Sequence, residues 1–208
     1  MTRTELLKTA KSVIFTTDEV RAILRKQNPK TQFRLPIKPQ PPKDTKFLGI
    51  IAESKNKRNV GCGVFRHDDG TDVYNNARYK IGDILYVRET WGETTLFDVT
   101  DFEYKAGYEK KPMYVDKWKS PATMPKEAAR IFLRVTAVRI ERLQDISDDD
   151  AIAEGADYKA TYDTEGEPSC WLIDPWESFS DLWCYGGVYS WDKNPWVWVY
   201  EFEKLEAE

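Results

Sequence analysis

The chain has 208 residues, 41% hydrophobic and 32% charged, enough for one sizeable domain around a buried core. No apolar run approaches the roughly 20 residues of a membrane helix, and Met1 to Lys11 carries basic residues with no apolar segment behind them, so neither a span nor a signal peptide is expected. A net charge of -4 argues against a generic nucleic-acid coat.

In chain order, Ser12 to Phe15 reads as a short buried strand. Thr16 with Glu19 is a capping box, and Val20, Ile23 and Leu24 continue it at helical spacing, which predicts a helix from Thr17 to Lys26 ended by Asn28-Pro29. Directly after it, Lys30-Thr31-Gln32-Phe33-Arg34 leads into the proline-studded tail Leu35 to Pro42, and this polar cluster is expected on a loop. Residues 36–79 show little periodicity. One or two hairpin strands are expected around Phe47 to Ile51, with turns at Lys55 to Arg58 and Asp68-Asp69-Gly70.

Ile84 to Arg88 is an apolar strand, and Phe102 to Ala106 a short alternating one. Lys117 to Lys126 is a Pro/Met/Trp loop. Arg130 to Ile140 carries the strongest alternation in the chain, with Ile131, Leu133, Val135 and Ala137 on one face. Ser147 caps a short helix with Asp148 to Asp150 in its first turn, and Gly155 stops it. Ala160 to Pro168 is expected to be a mobile insertion. A helix follows at Trp176 to Leu182 and a buried strand at Trp196 to Phe202. Strands outnumber helices without alternating with them, which predicts an α+β fold whose mixed or antiparallel sheet curls into a barrel.

Cys62, Cys170 and Cys184 are odd in number and lack CxxC spacing, so free thiols in a reducing compartment are expected. His67 is the only histidine, which removes a Ser-His-Asp triad or a zinc site unless His67 converges with two distant cysteines. Charge is unevenly spread. Arg21 to Arg58 holds eleven Lys and Arg against two acids, a net of +9; Gln144 to Glu208 holds three Lys against seventeen acids, a net of -14. Either a localised anion-binding face or mutual neutralisation of the two segments accounts for it. Trp91 and Trp118 lie beside polar residues, and either stack a base or pack as core or lid. Arg88 and Glu89 at a strand end either line a cleft or form a structural ion pair.

Glu154 stands in the last helical turn, where the helix dipole disfavours a carboxylate. A basic partner such as Lys30 would compensate, and a Lys-Glu pair could act as general base and acid. The alternative is an exposed acid on a solvated helix end.

Several blocks in order resemble the phage-encoded branch of the ASCH proteins, which have a PUA-like β-barrel. They are Lys30 to Arg34 with Ile37-Lys38-Pro39 behind it; Gly82 to Trp91; Met124-Pro125; Arg139 to Ser147; Ala151 to Gly155; and Asn194 to Val199. The resemblance implies a single domain over residues 1–208, with insertions near 38–79 and 156–175. It implies a phage or prophage accessory protein, in the cytoplasm of the host cell, that binds RNA or a nucleotide in a basic cleft. Lys30, Thr31, Gln32, Arg34, Arg88, Glu89, Trp91 and Trp118 would line that cleft, with no metal, cofactor or membrane involved.

The wider family includes acetylcytidine amidohydrolases and a ribonuclease, so a metal-independent hydrolase acting on a modified nucleoside or RNA is the alternative. The amidohydrolase pattern, Lys-Thr-x-Thr plus a helix Glu, is matched by Lys30, Thr31 and Glu154, which would be the catalytic group. Phe33 stands where the family has its functional second Thr, which sets the chain against hydrolysis, and Arg34 matches a downstream basic residue to within one position. A third reading is a factor that binds a host protein through its acidic C-terminal half.

Overall fold

The computed structural model describes residues 2–54, 56–94, 101–156, 159–162, 168–183 and 185–206. The helices are α1 (Arg3–Thr9), α2 (Thr17–Ile23), α3 (Asp148–Ala153) and α4 (Pro175–Leu182). The strands are β1 (Lys11–Ile14), β2 (Gln32–Pro36), β3 (Thr45–Ile50), β4 (Cys62–His67), β5 (Asp72–Asn76), β6 (Ile84–Arg88), β7 (Trp91–Thr94), β8 (Asp101–Tyr104), β9 (Phe132–Arg142), β10 (Lys159–Tyr162), β11 (Pro168–Ile173) and β12 (Trp196–Leu205). The chain forms two compact units. The first takes Met1–Thr31, Gly82–Val135 and Phe202–Glu208; the second takes Gln32–Ile81 and Thr136–Glu201.

In the first unit β1 pairs in parallel with β6, Val13 opposite Val87, and β6 pairs antiparallel with β9, Leu85 opposite Leu133. Capping boxes open both helices here, Thr2 with Glu5 and Thr16 with Glu19, satisfying amides that no helical carbonyl reaches. The core gathers Leu6, Trp91, Met124, Ala128 and Phe132.

In the second unit β9 is followed by β12, and β12 pairs antiparallel with β2, Tyr200 opposite Phe33. A separate meander β3-β4-β5 turns through Asp68-Asp69-Gly70, where Gly70 takes a φ of 89°. Helices α3 and α4 pack their apolar faces with Val197 and Val199 through Leu143, Ala151 and Phe179.

The mixed α+β expectation holds, and the predicted strands and helices near 12–15, 17–26, 84–88, 130–140, 147–155, 176–182 and 196–202 are present. Two expectations are corrected. The sheet order β1-β6-β9-β12-β2 is open, so no closed barrel forms among the described residues. The polar cluster is not a loop: Gln32 to Arg34 lie inside strand β2. Its side chains alternate polar and apolar, yet both faces of the strand are buried, the polar one against carboxylates and the apolar one against aromatic rings.

Of the expected insertion at Ala160 to Pro168, Ala160 to Tyr162 belong to β10 and Pro168 opens β11, the two pairing as a hairpin, and residues 163–167 lie outside the described ones. Cys184 and the side chain of Cys170 also lie outside them, whereas Cys62 is a buried free thiol. Among the described residues no helix is long and apolar enough to cross a membrane, and no group of three or more metal-ligating side chains is assembled.

Candidate functional site

Strand β2 sorts the polar cluster onto two faces. Directly opposed residues of an antiparallel pair point to the same side of the sheet. Gln32 faces Glu201 and Arg34 faces Val199 on one side; Phe33 faces Tyr200 and Leu35 faces Trp198 on the other.

The first side is ionic. The Arg34 side chain is fully buried. Its Nη1 donates to Glu154 Oε1 at 2.8 Å, and its Nη2 donates to Glu141 and, at 3.2 Å, to Asp150. Its guanidinium also lies 5.6 Å from the Phe179 ring centroid. Arg139 continues the network to Glu141, Asp150, Glu201 and the Gln32 Oε1. Burial pulls the Arg139 guanidinium down, but Glu141 and Asp150 outweigh it and hold the group above its ordinary value. The helix-end carboxylate that the dipole disfavours therefore has a cation, and within this unit that cation is Arg34. Two guanidiniums among four carboxylates make a structural cluster, Arg34 fully buried in it and Arg139 about a third exposed at its edge.

The second side is an aromatic cleft of about 250 Å³. Trp198 and Tyr200 of β12 and Leu35 of β2 line it, and the loops and strand around them add Lys38, Asn75, Asn76, Arg78 and Tyr185. Phe33 supports it from beneath, stacked on Tyr200 at 4.9 Å and edge-on to Tyr79 at 6.0 Å. The Tyr200 hydroxyl accepts the Arg78 backbone N–H at 3.0 Å, and burial pushes its phenol well above its ordinary value, so it stays neutral. Gly63 leaves room for this wall: a Cβ there would come within 2.2 Å of Ile140 Cδ1 and 3.5 Å of Trp198.

Charge at the cleft is positive. Lys38 and Arg78 are both exposed. The Lys38 ammonium lies 5.3 Å from the Tyr185 ring and 4.9 Å from Tyr189, and the Arg78 guanidinium lies 5.5 Å from Tyr79. Among the described residues neither has a carboxylate partner, unlike Arg34 and Arg139. Asn75, 7% exposed, donates its Nδ2 to the Pro39 carbonyl at 3.3 Å, while its Oδ1 is buried with no hydrogen-bond partner among the described residues.

The other residues singled out by sequence are distributed as follows. Lys30 lies in the first unit, 3% exposed, 3.6 Å from Glu19 and 5.7 Å from the Phe15 ring. It is a buried lysine, not a loop-tip one. Thr31 is exposed at the start of β2, its carbonyl accepting from the Phe202 amide.

Glu89 is 1% exposed and pairs in a two-point fork with Arg130, at 2.8 and 2.9 Å, rather than with its neighbour Arg88. Arg88 donates to the Ala122 carbonyl. Trp91 is core, edge-on to Phe102 at 5.8 Å with Lys119 over its face at 4.6 Å, and Trp118 packs beside Tyr108. Of the predicted set, Gln32 and Arg34 come together with Glu154. Lys30 and Thr31 belong to the first unit with Arg88, Glu89, Trp91 and Trp118.

Sequence reasoning missed Asn75, Arg78 and Tyr185, and used Lys38 only as a landmark. The signal for Lys38 was its place two residues beyond the end of β2. For Asn75 there was none short of the β3-β4-β5 pairing. No family model, curated protein or solved structure matches this chain.

Proposed function

We propose that the protein binds a nucleotide or a single-stranded segment of RNA in the aromatic cleft of the second unit. The observation that carries this is the coincidence of two exposed cations without carboxylate partners among the described residues, Lys38 and Arg78, with the aromatic lining of the cleft, the half-buried Tyr185 and the buried Trp198 and Tyr200. A phosphate needs the first feature and a base the second.

The ordered motif blocks support placing the chain with the PUA-like ASCH proteins of phages and prophages, working on host-cell RNA or nucleotides. The site we favour lies on the opposite face of β2 from Arg34 and Glu154. Binding is favoured over hydrolysis because the residue in place of the family's hydroxyl, Phe33, is core and 2% exposed.

The test is a titration of labelled short RNAs and of mononucleotides at two ionic strengths. With two cations engaged, log affinity should fall against log salt with a slope of roughly -1.4. Absence of binding at low salt would remove the proposal.

A further inference from the structure

Asn75, a residue of the cleft wall, carries a buried polar atom without a hydrogen-bond partner among the described residues. Asn75 sits near the end of β5, opposite Gly63 of β4. Its amide orientation is fixed by chemistry: the Pro39 carbonyl can only accept, so Nδ2 faces it and Oδ1 faces away. Among the described residues that Oδ1 has no hydrogen-bond donor. A buried acceptor left unpaired is costly to the fold, and such atoms are rare in folded proteins. Asn76 lies next to it on the cleft, its own Oδ1 accepting from the Cys62 thiol at 3.0 Å.

We infer that Asn75 is a base-reading residue: its Oδ1 accepts an N–H from the edge of a single unpaired nucleobase held in the cleft. This rests on the proposed function and narrows it. The four common bases all carry an N–H on the edge used in Watson–Crick pairing, and in a duplex that edge lies against the partner base, where a cleft of this size cannot reach it. The cleft therefore takes a mononucleotide or a nucleotide unstacked from a single strand, and rejects paired RNA. Its volume agrees: about 250 Å³ lies under the roughly 300–1,000 Å³ of sites for drug-sized ligands, room for one base and its sugar. Arg78 and Lys38 at the same cleft suit the phosphate attached to that sugar, which fixes which end of the ligand lies beside Asn75.

The experiment uses the unaltered full chain and varies the ligand, so folding does not confound it. Calorimetric titration compares the four ribonucleoside 5′-monophosphates with two whose bases carry no N–H donor, purine riboside 5′-monophosphate and N3-methyluridine 5′-monophosphate, and with ribose 5-phosphate. The adenine and uracil nucleotides should each bind about tenfold better than their donor-free counterparts, the worth of one buried hydrogen bond. Asn75→Ala should abolish that difference while leaving ribose 5-phosphate binding as it was.

Donor-free nucleotides that bind as tightly as natural ones would overturn the role of Asn75 while leaving nucleotide binding intact. If no nucleotide binds at low salt, the proposed function fails and this inference with it. A short duplex that binds as well as its single strand would overturn the restriction to unpaired bases.

Discussion

Replacing Arg34 by methionine, a side chain of similar length without charge, should destabilise the second unit strongly. The structure lets the size be worked out. Arg34 is 0% exposed in its side chain, and of its three carboxylates Glu154 is 4% exposed, Glu141 18% and Asp150 28%. Glu141 and Asp150 keep Arg139, and their partial exposure discounts their loss. The Glu154 pair dominates, because removing one partner of a buried pair costs about 3–5 kcal/mol.

We expect the lower end, about 3 kcal/mol, read as a shift of the urea midpoint at constant slope and as a fall in Tm of roughly 6–12 °C for a chain of this size. The double variant Arg34→Met with Glu154→Met removes both charges. It should recover to within about 1 kcal/mol of the parent, since an apolar pair can replace a buried ionic one. An Arg34→Met protein within about 1 kcal/mol of the parent, or a double variant weaker than the single one, would refute the argument that this cluster holds the fold.

Two further outcomes follow from the same geometry. Phe33→Thr should lose about 2–4 kcal/mol of stability, because it empties a ring site between Tyr79 and Tyr200; a variant of unchanged urea midpoint would show that Phe33 is not core. At alkaline pH, burial pushes the Tyr104 phenol, which donates to the Ala128 carbonyl, from its ordinary 10.0 up to about 12. A raised folded value favours the protonated form, so this contribution is complete below pH 10 and lost as pH rises through about 12. A Tyr104→Phe protein should show less stability loss between pH 10 and 12 than the parent. Equal losses in the two proteins would rule Tyr104 out as the source.

The fold was legible where periodicity was strong. The alternation of β9 and the capping box of α2 each announced an element whose geometry needs only local residues. α1 carried the same signal, Thr2 with Glu5, and was overlooked. β2 was misread because its polar positions, Gln32 and Arg34, looked like solvent-facing residues. In fact Gln32/Phe33/Arg34/Leu35 alternates with period two, and burial comes from α3 and α4 on the Arg34 face and from Tyr79 and Tyr200 on the Phe33 face, which local sequence does not show.

The site was less legible still. Glu154 stood out because it breaks the dipole rule, but its cation within the second unit, Arg34, lies 120 residues away in sequence. Lys30 was read as an exposed loop residue, and its burial follows from packing with Phe15 and Glu19. Lys38, Asn75 and Arg78 meet only where the β3-β4-β5 meander lies beside the β2-β12 pair at one cleft. No spacing rule encodes that encounter.

The most direct test of the central claim is the affinity of a fluorescent single-stranded RNA for the parent protein and for the Lys38→Ala, Arg78→Ala double variant, in low salt. Both side chains are exposed, so the fold should survive their loss. The account predicts that the double variant binds at least tenfold more weakly and that its salt slope collapses toward zero. Equal affinity and an unchanged slope would contradict it and move the binding surface away from this cleft.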